Sequence, residues 1–302
     1  MTVVRSLALH GVITALVTPF TQEGDIIEES IRELVRFQLK AGVHGLFAFG
    51  TNGMGPAMEV SQRKKAAEII VSETADHVPV IVHVGGMDLR VGIELAAHAQ
   101  KIGASAVACV TPFYYHPDVL ATEEHYRRLS EATTLPVLLY NIPGNTGNNL
   151  SAEIVGRLSK IPGIVGIKDS SRDFLQLLDY LSISPSGFNV ICGTDSFFFS
   201  ALCAGIRAGV SGLANAFPEL MVSVYEAYTR GDLTEAKKLQ LKIHSLRAAL
   251  TKPEIAPLLE TLKMRGLKSG TVRLPLRSMS NEEVRTLHEF LRNSLPEYTF
   301  TL

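Results

Sequence analysis

Short apolar runs alternate along this chain with longer stretches in which apolar residues recur every three to four positions, from Gly11 to about residue 228. Runs such as VPVIVHV, SAVACV and LPVLLY show no in-and-out alternation. Strands of that kind are covered on both faces, as in a parallel sheet. The stretches between them are amphipathic: within residues 27–40, Ile31, Leu34, Val35 and Leu39 share one helical face. The pattern predicts strands over 11–19, 44–49, 78–84, 105–110, 135–140, 163–167, 188–192 and 209–214. It predicts helices over 27–40, 61–73, 89–102, 123–132, 151–159, 173–181, 196–205 and 218–228. About eight strand–helix units close an α/β barrel, the (β/α)8 or TIM fold. A doubly wound open sheet is the competing architecture, but no GxGxxG follows the first strand.

Beyond Gly231 the strand pattern stops. Residues 233–250, 255–264 and 281–295 read as helices, the last opened by a Ser280…Glu283 capping box. The expected organisation is a catalytic barrel over 1–230 and a C-terminal helical extension over 231–302, packed on the barrel or on a neighbouring subunit.

Composition narrows the function. With 29 Lys+Arg against 30 Asp+Glu, the net charge of -1 provides no long-range field for nucleic acid or an anionic membrane. Any anionic substrate must be held by local groups. Cys109, Cys192 and Cys203 are odd in number, far apart and set in apolar runs, which reads as reduced core thiols in a cytoplasmic protein. No apolar run reaches membrane-spanning length, and no signal peptide is evident. The nine histidines are dispersed without HxH or HExxH, so no metal is expected, and the absence of GxSxG disfavours an elbow-type serine hydrolase. His83, inside an apolar strand, reads as a satisfied core histidine.

In a parallel barrel the reactive groups gather just past the strands' carboxyl ends. The sixth predicted strand ends in Gly166-Ile167-Lys168-Asp169-Ser170-Ser171. A strand buried on both faces has little use for an ammonium group, and the plain alternative is a lysine snorkelling to water. Tyr140 ends the fifth predicted strand. Neighbouring strands lie roughly 5 Å apart, so the two side chains can meet in the barrel mouth. An amine held out of water is a nucleophile toward carbonyls and forms a Schiff base. The iminium is an electron sink, and a nearby tyrosine can move protons. That is aldolase or lyase chemistry, with neither metal nor organic cofactor.

The other rim loops say less alone. Gly50-Thr51-Asn52-Gly53-Met54-Gly55-Pro56 follows the second strand, and its glycines allow a tight turn whose N–H groups suit a carboxylate. It is too short, and lacks the lysine, for a nucleotide-binding P-loop. The aromatic cluster in VTPFYYHP reads as packing or an interface.

Taken together, GVITALVTPFTQEGDI, GTNGMGP, VTPFYYHP, YNIPGNTG, GIKDSS, CGTDS and GVSGLANAFPEL fall in an order that resembles the dihydrodipicolinate synthase/N-acetylneuraminate lyase family of pyruvate-dependent class I aldolases. The similarity runs from residue 11 to about 220, and the helical tail also fits. The resemblance implies that Lys168 is the Schiff-base lysine, Tyr140 the proton shuttle and Thr51 its relay. It implies that Thr51 and Asn52 hold the pyruvate carboxylate and that the Val210 carbonyl faces bound pyruvate. Gly193 and Asp195 fall in the loop that meets substrate hydroxyls in the sugar-acid lyases. Tyr114 matches the tyrosine that members donate into a neighbouring subunit's site, which implies a homodimer and often a homotetramer.

Three positions depart from the family pattern. Asn145 stands where dihydrodipicolinate synthases carry an arginine in YNVPxRTG, so the partner for the carboxylate of aspartate semialdehyde is missing. Met54 replaces the usual acidic residue of that loop, and GTNGMGP is most similar to the GTTGLGP of 2-keto-3-deoxygluconate aldolases. Asn52 replaces the second hydroxyl residue, and an amide still binds a carboxylate. The expected substrates are therefore pyruvate with an aldehyde, or the 2-keto-3-deoxy sugar acid that yields them. The alternatives are pyruvate with aspartate semialdehyde, dehydration of a keto-deoxy acid through the same iminium, and an inactive barrel serving as a binding module.

Overall fold

The computed structural model describes residues 7–301. Eight strands, β1 (Gly11–Ala15), β2 (Gly45–Ala48), β3 (Val80–His83), β4 (Ala106–Val110), β5 (Val137–Asn141), β6 (Ile164–Asp169), β7 (Asn189–Cys192) and β8 (Ala208–Ser211), form one closed barrel in chain order. Every neighbouring pair is parallel, and β1 closes on β8. The crossovers are α1 (Glu28–Lys40), α2 (Val60–Thr74), α3 (Leu89–Lys101), α4 (Val119–Glu131), the single turn α5 (Pro143–Thr146), α6 (Ala152–Leu158), α7 (Phe174–Ile183) and α8 (Phe198–Cys203), and α9 (Pro218–Thr229) follows the last strand. This is the expected (β/α)8 barrel.

Two apolar layers follow from strand pleating. Alternate residues, among them Ile13, Phe47, Ile81, Ala108, Leu138, Ile191 and Ala208, fill the barrel lumen. Their neighbours face the helices, where Ile31, Leu34 and Val35 of α1 are buried as the helical face predicted. Tyr140 and Val210 belong to the lumen set, at its upper end. Cys109 and Cys192 are buried as expected, whereas Cys203 is exposed, because it ends α8 one step past the buried face formed by Ala201 and Leu202.

Several boundaries moved for local reasons. The fourth helix starts at Val119, earlier than the pattern suggested, because Asp118 caps it by accepting the Ala121 N–H at 2.8 Å. β1 ends at Ala15, since Val17 leaves the ladder to donate to the Asn215 side chain. β8 stops at Ser211, where a 3-10 turn over Leu213–Asn215 begins.

The tail consists of α10 (Leu233–Ala249), α11 (Ala256–Met264) and α12 (Asn281–Ser294). Leu246, Leu250, Leu258 and Leu287 join the same apolar layer as the barrel helices. The Ser280–Glu283 capping box at α12 has both of its hydrogen bonds. No helix among the described residues is long and apolar enough to cross a membrane.

Candidate active site

The carboxyl ends of β5 and β6 are in register, with Tyr140 directly paired to Lys168 and Asn141 to Asp169. Side-chain alternation then sends the first pair into the lumen and the second toward the helices. Lys168 is buried, and its Nζ lies 3.8 Å from the Tyr140 ring centroid and 4.4 Å from that of Phe47. These π faces attract a cation, yet they leave the nitrogen lone pair uncommitted once the amine is neutral. The Tyr140 hydroxyl shares a hydrogen bond of 3.1 Å with Thr51 Oγ1. An amine, a phenol and an aliphatic hydroxyl thus stand in a continuous chain of contacts.

The outward pair braces this seam. Asn141 Nδ2 donates to Asp169 Oδ1 at 2.8 Å, and Ser171 Oγ donates to Asp169 Oδ2 at 2.6 Å. Asn141 also accepts the Leu150 N–H at 3.0 Å. Burial raises the Asp169 carboxyl above its usual range, and the Ser171 and Asn141 hydrogen bonds oppose that shift.

The loop after β2 contains two residues in a strained backbone conformation. Phe49 has φ 62 and Met54 φ 52, both in the left-handed region that non-glycine residues rarely enter. The glycines serve another purpose: a Cβ on Gly55 would lie 2.0 Å from the Phe49 carbonyl oxygen, and one on Gly53 2.8 Å from the Phe49 nitrogen. They let the loop wrap onto that backbone. The N–H groups of Met54 and Gly55 bond within the loop, to the Thr51 and Gly50 carbonyls, so these two are not offered to an anion. Asn52 points its amide toward the end of β8, where a Cβ on Gly212 would strike Nδ2 at 2.6 Å.

A cavity of about 420 Å³ at the mouth is lined by Lys168, Tyr140, Thr51, Asn52, Asn145, Gly193, Asp195 and Val210. A more apolar cavity of about 300 Å³ shares Thr51, Tyr140 and Asn145 and continues past Met54, His83 and Phe113. Tyr114 is the one anticipated site residue that lies apart. It has φ 76, is 78% exposed and stands edge-on to Tyr115, outside both cavities of its own chain.

One anticipated lining residue, Asp195, leads to others that were not anticipated, Arg247 and Arg172. Asp195 is buried, and its Oδ2 accepts the Leu213 N–H at 3.3 Å and meets Arg247 Nε at 3.4 Å. Its Oδ1 has no hydrogen-bond partner. Arg247 comes from the last turn of α10, and the following Thr251, Lys252, Glu254 and Ile255 cross the mouth. Arg172, with φ 66, stands at the rim beyond the Ser170–Ser171 turn. Only side-chain parity in β2 could have found Phe47, and nothing local in the sequence marks Arg247.

The dihydrodipicolinate synthetase family model matches residues 8–294. The chain belongs to that family. Among its relatives is an uncharacterized DapA-like lyase of Halobacterium salinarum, 38% identical over 92% of this chain and 91% of that protein. A 4-hydroxy-tetrahydrodipicolinate synthase of Geotalea daltonii is 34% identical over 90% of this chain and 93% of that protein. Among solved structures, YagE, a prophage protein of the dihydrodipicolinic acid synthase family from E. coli solved with pyruvate, superposes with TM-score 0.92. It is 26% identical, over 95% of this chain and 99% of that one. The family assignment makes this chain an enzyme of the lyase class.

Proposed function

We propose that the chain is a pyruvate-dependent class I aldolase that reversibly cleaves a 2-keto-3-deoxy sugar acid, such as 2-keto-3-deoxygluconate, to pyruvate and an aldehyde. The observation that carries this reading is the Lys168 amine buried against the Tyr140 ring, with the Tyr140 hydroxyl bonded to Thr51. Nζ adds to the C2 carbonyl, whose oxygen leaves as water, and an iminium forms on Lys168. Tyr140 takes the proton of the C4 hydroxyl, the C3–C4 bond breaks and the aldehyde departs. The electron pair enters the iminium as an enamine, which is protonated at C3 and hydrolysed to pyruvate and free amine. Thr51 relays the proton, Thr51 and Asn52 hold the carboxylate, and the Val210 carbonyl faces the pyruvyl unit.

Two features of the larger cavity support a polyhydroxylated substrate. Asn145 presents an amide in place of a guanidinium, and the unpartnered Oδ1 of buried Asp195 is an acceptor waiting for a donor. Gly193 lines the same cavity. In this reading the working unit is a cytoplasmic homodimer or homotetramer, and exposed Tyr114 reaches into a partner's site.

One observation favours a second substrate. Arg172 and Arg247 line the same cavity, and either guanidinium suits the carboxylate of aspartate semialdehyde, the substrate of a 4-hydroxy-tetrahydrodipicolinate synthase. Arg247 is already paired with Asp195, which weakens that alternative. Offering pyruvate with glyceraldehyde and, separately, with aspartate semialdehyde decides between them. The larger kcat/KM is expected for glyceraldehyde, and the reverse order overturns the choice of substrate while leaving the Schiff base intact.

A further inference from the structure

The proposed steps leave one enclosed titratable group unused beside the reacting pair. His83, in the lumen at the end of β3, is 1% exposed and lies edge-on to Tyr140, with ring centroids 5.7 Å apart and planes at 88°. Its ring nitrogens are both committed: Nε2 accepts the Val110 N–H at 3.2 Å, so Nδ1 carries the proton and donates to the Phe49 carbonyl at 3.0 Å. The ring is therefore neutral. Burial, then the Arg63 and Lys168 cations, hold its pKa well below the ordinary histidine value.

We infer that His83 is a positioning residue for the proton path, fixing Tyr140 by its ring face and Thr51 through the Phe49 peptide. This rests on the aldolase reading and deepens it.

The plain reading, a satisfied core histidine, accounts for the two hydrogen bonds but not for what they hold. Phe49 occupies the left-handed region at a cost, and such a conformation persists only where its surroundings over-determine it. The bond from His83 locks the Phe49 carbonyl from one side, while Gly53 and Gly55 wrap the same backbone from the other. Thr51 follows two residues later, so the tilt of that peptide sets where its Oγ1 meets the Tyr140 hydroxyl. The histidine is itself anchored. Arg63 of α2, 5% exposed, donates from Nη2 to the His83 carbonyl at 2.6 Å, and its Nε has no partner. A buried guanidinium left partly unsatisfied weakens a core. Here it secures the backbone beneath the histidine.

The test reads proton movement without needing the second substrate: deuterium uptake into the pyruvate methyl group in D2O, followed by NMR, in the full chain. Borohydride trapping of pyruvate on Lys168 is read in parallel. His83→Leu keeps the volume and loses both bonds; it should slow exchange about tenfold to a hundredfold, the cost of a misplaced catalytic group. Trapping at saturating pyruvate should persist. His83→Gln, whose amide can donate to Phe49 and accept from Val110, should recover exchange to within a few-fold of the parent. Parental exchange in His83→Leu overturns the inference, and so does His83→Gln as slow as His83→Leu. Where His83→Leu fails to fold, His83→Asn, too short to hold both bonds at once, replaces it: slowed exchange is expected, and a parental rate overturns the inference. A parent that traps no pyruvate at all overturns the aldolase reading itself, a different and separately visible failure.

Discussion

The seam between β5 and β6 and the crossing between α10 and α11 face each other over one cavity, but they are built in opposite ways. At the seam, Tyr140 and Lys168 sit on paired strand positions, and Asn141 and Asp169 brace the same register from behind. At the crossing, Arg247 ends a helix and the next residues follow an irregular path, with Ile255 at φ 67. Rigid strand ends carry the proposed bond chemistry, where an error of an ångström matters. In the proposed reading the tail carries groups that meet the rest of the substrate, where one contact more or less changes preference.

That division can be broken from either side. At the seam, Tyr140→Phe removes the hydroxyl but keeps the ring against Lys168, and kcat should fall roughly a hundredfold to a thousandfold, the range for a lost acid–base group. Steady-state kinetics with near-parental turnover would take Tyr140 out of the proton path.

At the crossing, Arg247→Ala strips buried Asp195 of its cation. The kcat/KM for the sugar acid should drop about tenfold to a hundredfold, as when one partner of a buried charge pair is truncated. The pyruvate adduct on Lys168 should still form. A loss of adduct would show that the tail shares in the bond chemistry and collapse the contrast.

Within the tail, α12 tests how loosely this region is tied to the site. Glu283 has its carboxyl held down to about 2 by Arg277, with the Ser280 N–H assisting. A group whose pKa is depressed on folding stabilises above its unfolded value, and that contribution fades as pH falls. Acid melting curves of Glu283→Gln should therefore converge with the parent as pH falls from the ordinary 4.5 toward 2, with a small offset at neutral pH. Activity at neutral pH should hardly change. A large neutral-pH loss of activity would mean that the α12 cap governs the mouth.

The contrast also explains what could be read from the chain alone. Barrel strands announce themselves as apolar runs, and neighbouring strand ends lie close together, so Lys168 and Tyr140 can be paired from the chain alone. Parity within a strand points to Phe47 and His83, though no motif singles out an aromatic platform, and burial alone accounts for a histidine in an apolar strand. The glycines of the β2 loop read as a tight turn, but their structural work differs: Phe49 and Met54 take the positive φ, and Gly53 and Gly55 provide close approach. Arg247 was illegible because its partner, Asp195, is remote in sequence and meets it only once α10 packs over the barrel. Asp118 was a readable helix cap that the apolar pattern alone passed over.

The central claim is that Lys168 is the nucleophile. Borohydride reduction of the chain with pyruvate, followed by intact mass and peptide mapping, tests it most directly. A single stable pyruvyl adduct on the peptide bearing Lys168 is the predicted result. No adduct, or one on another lysine, would contradict it.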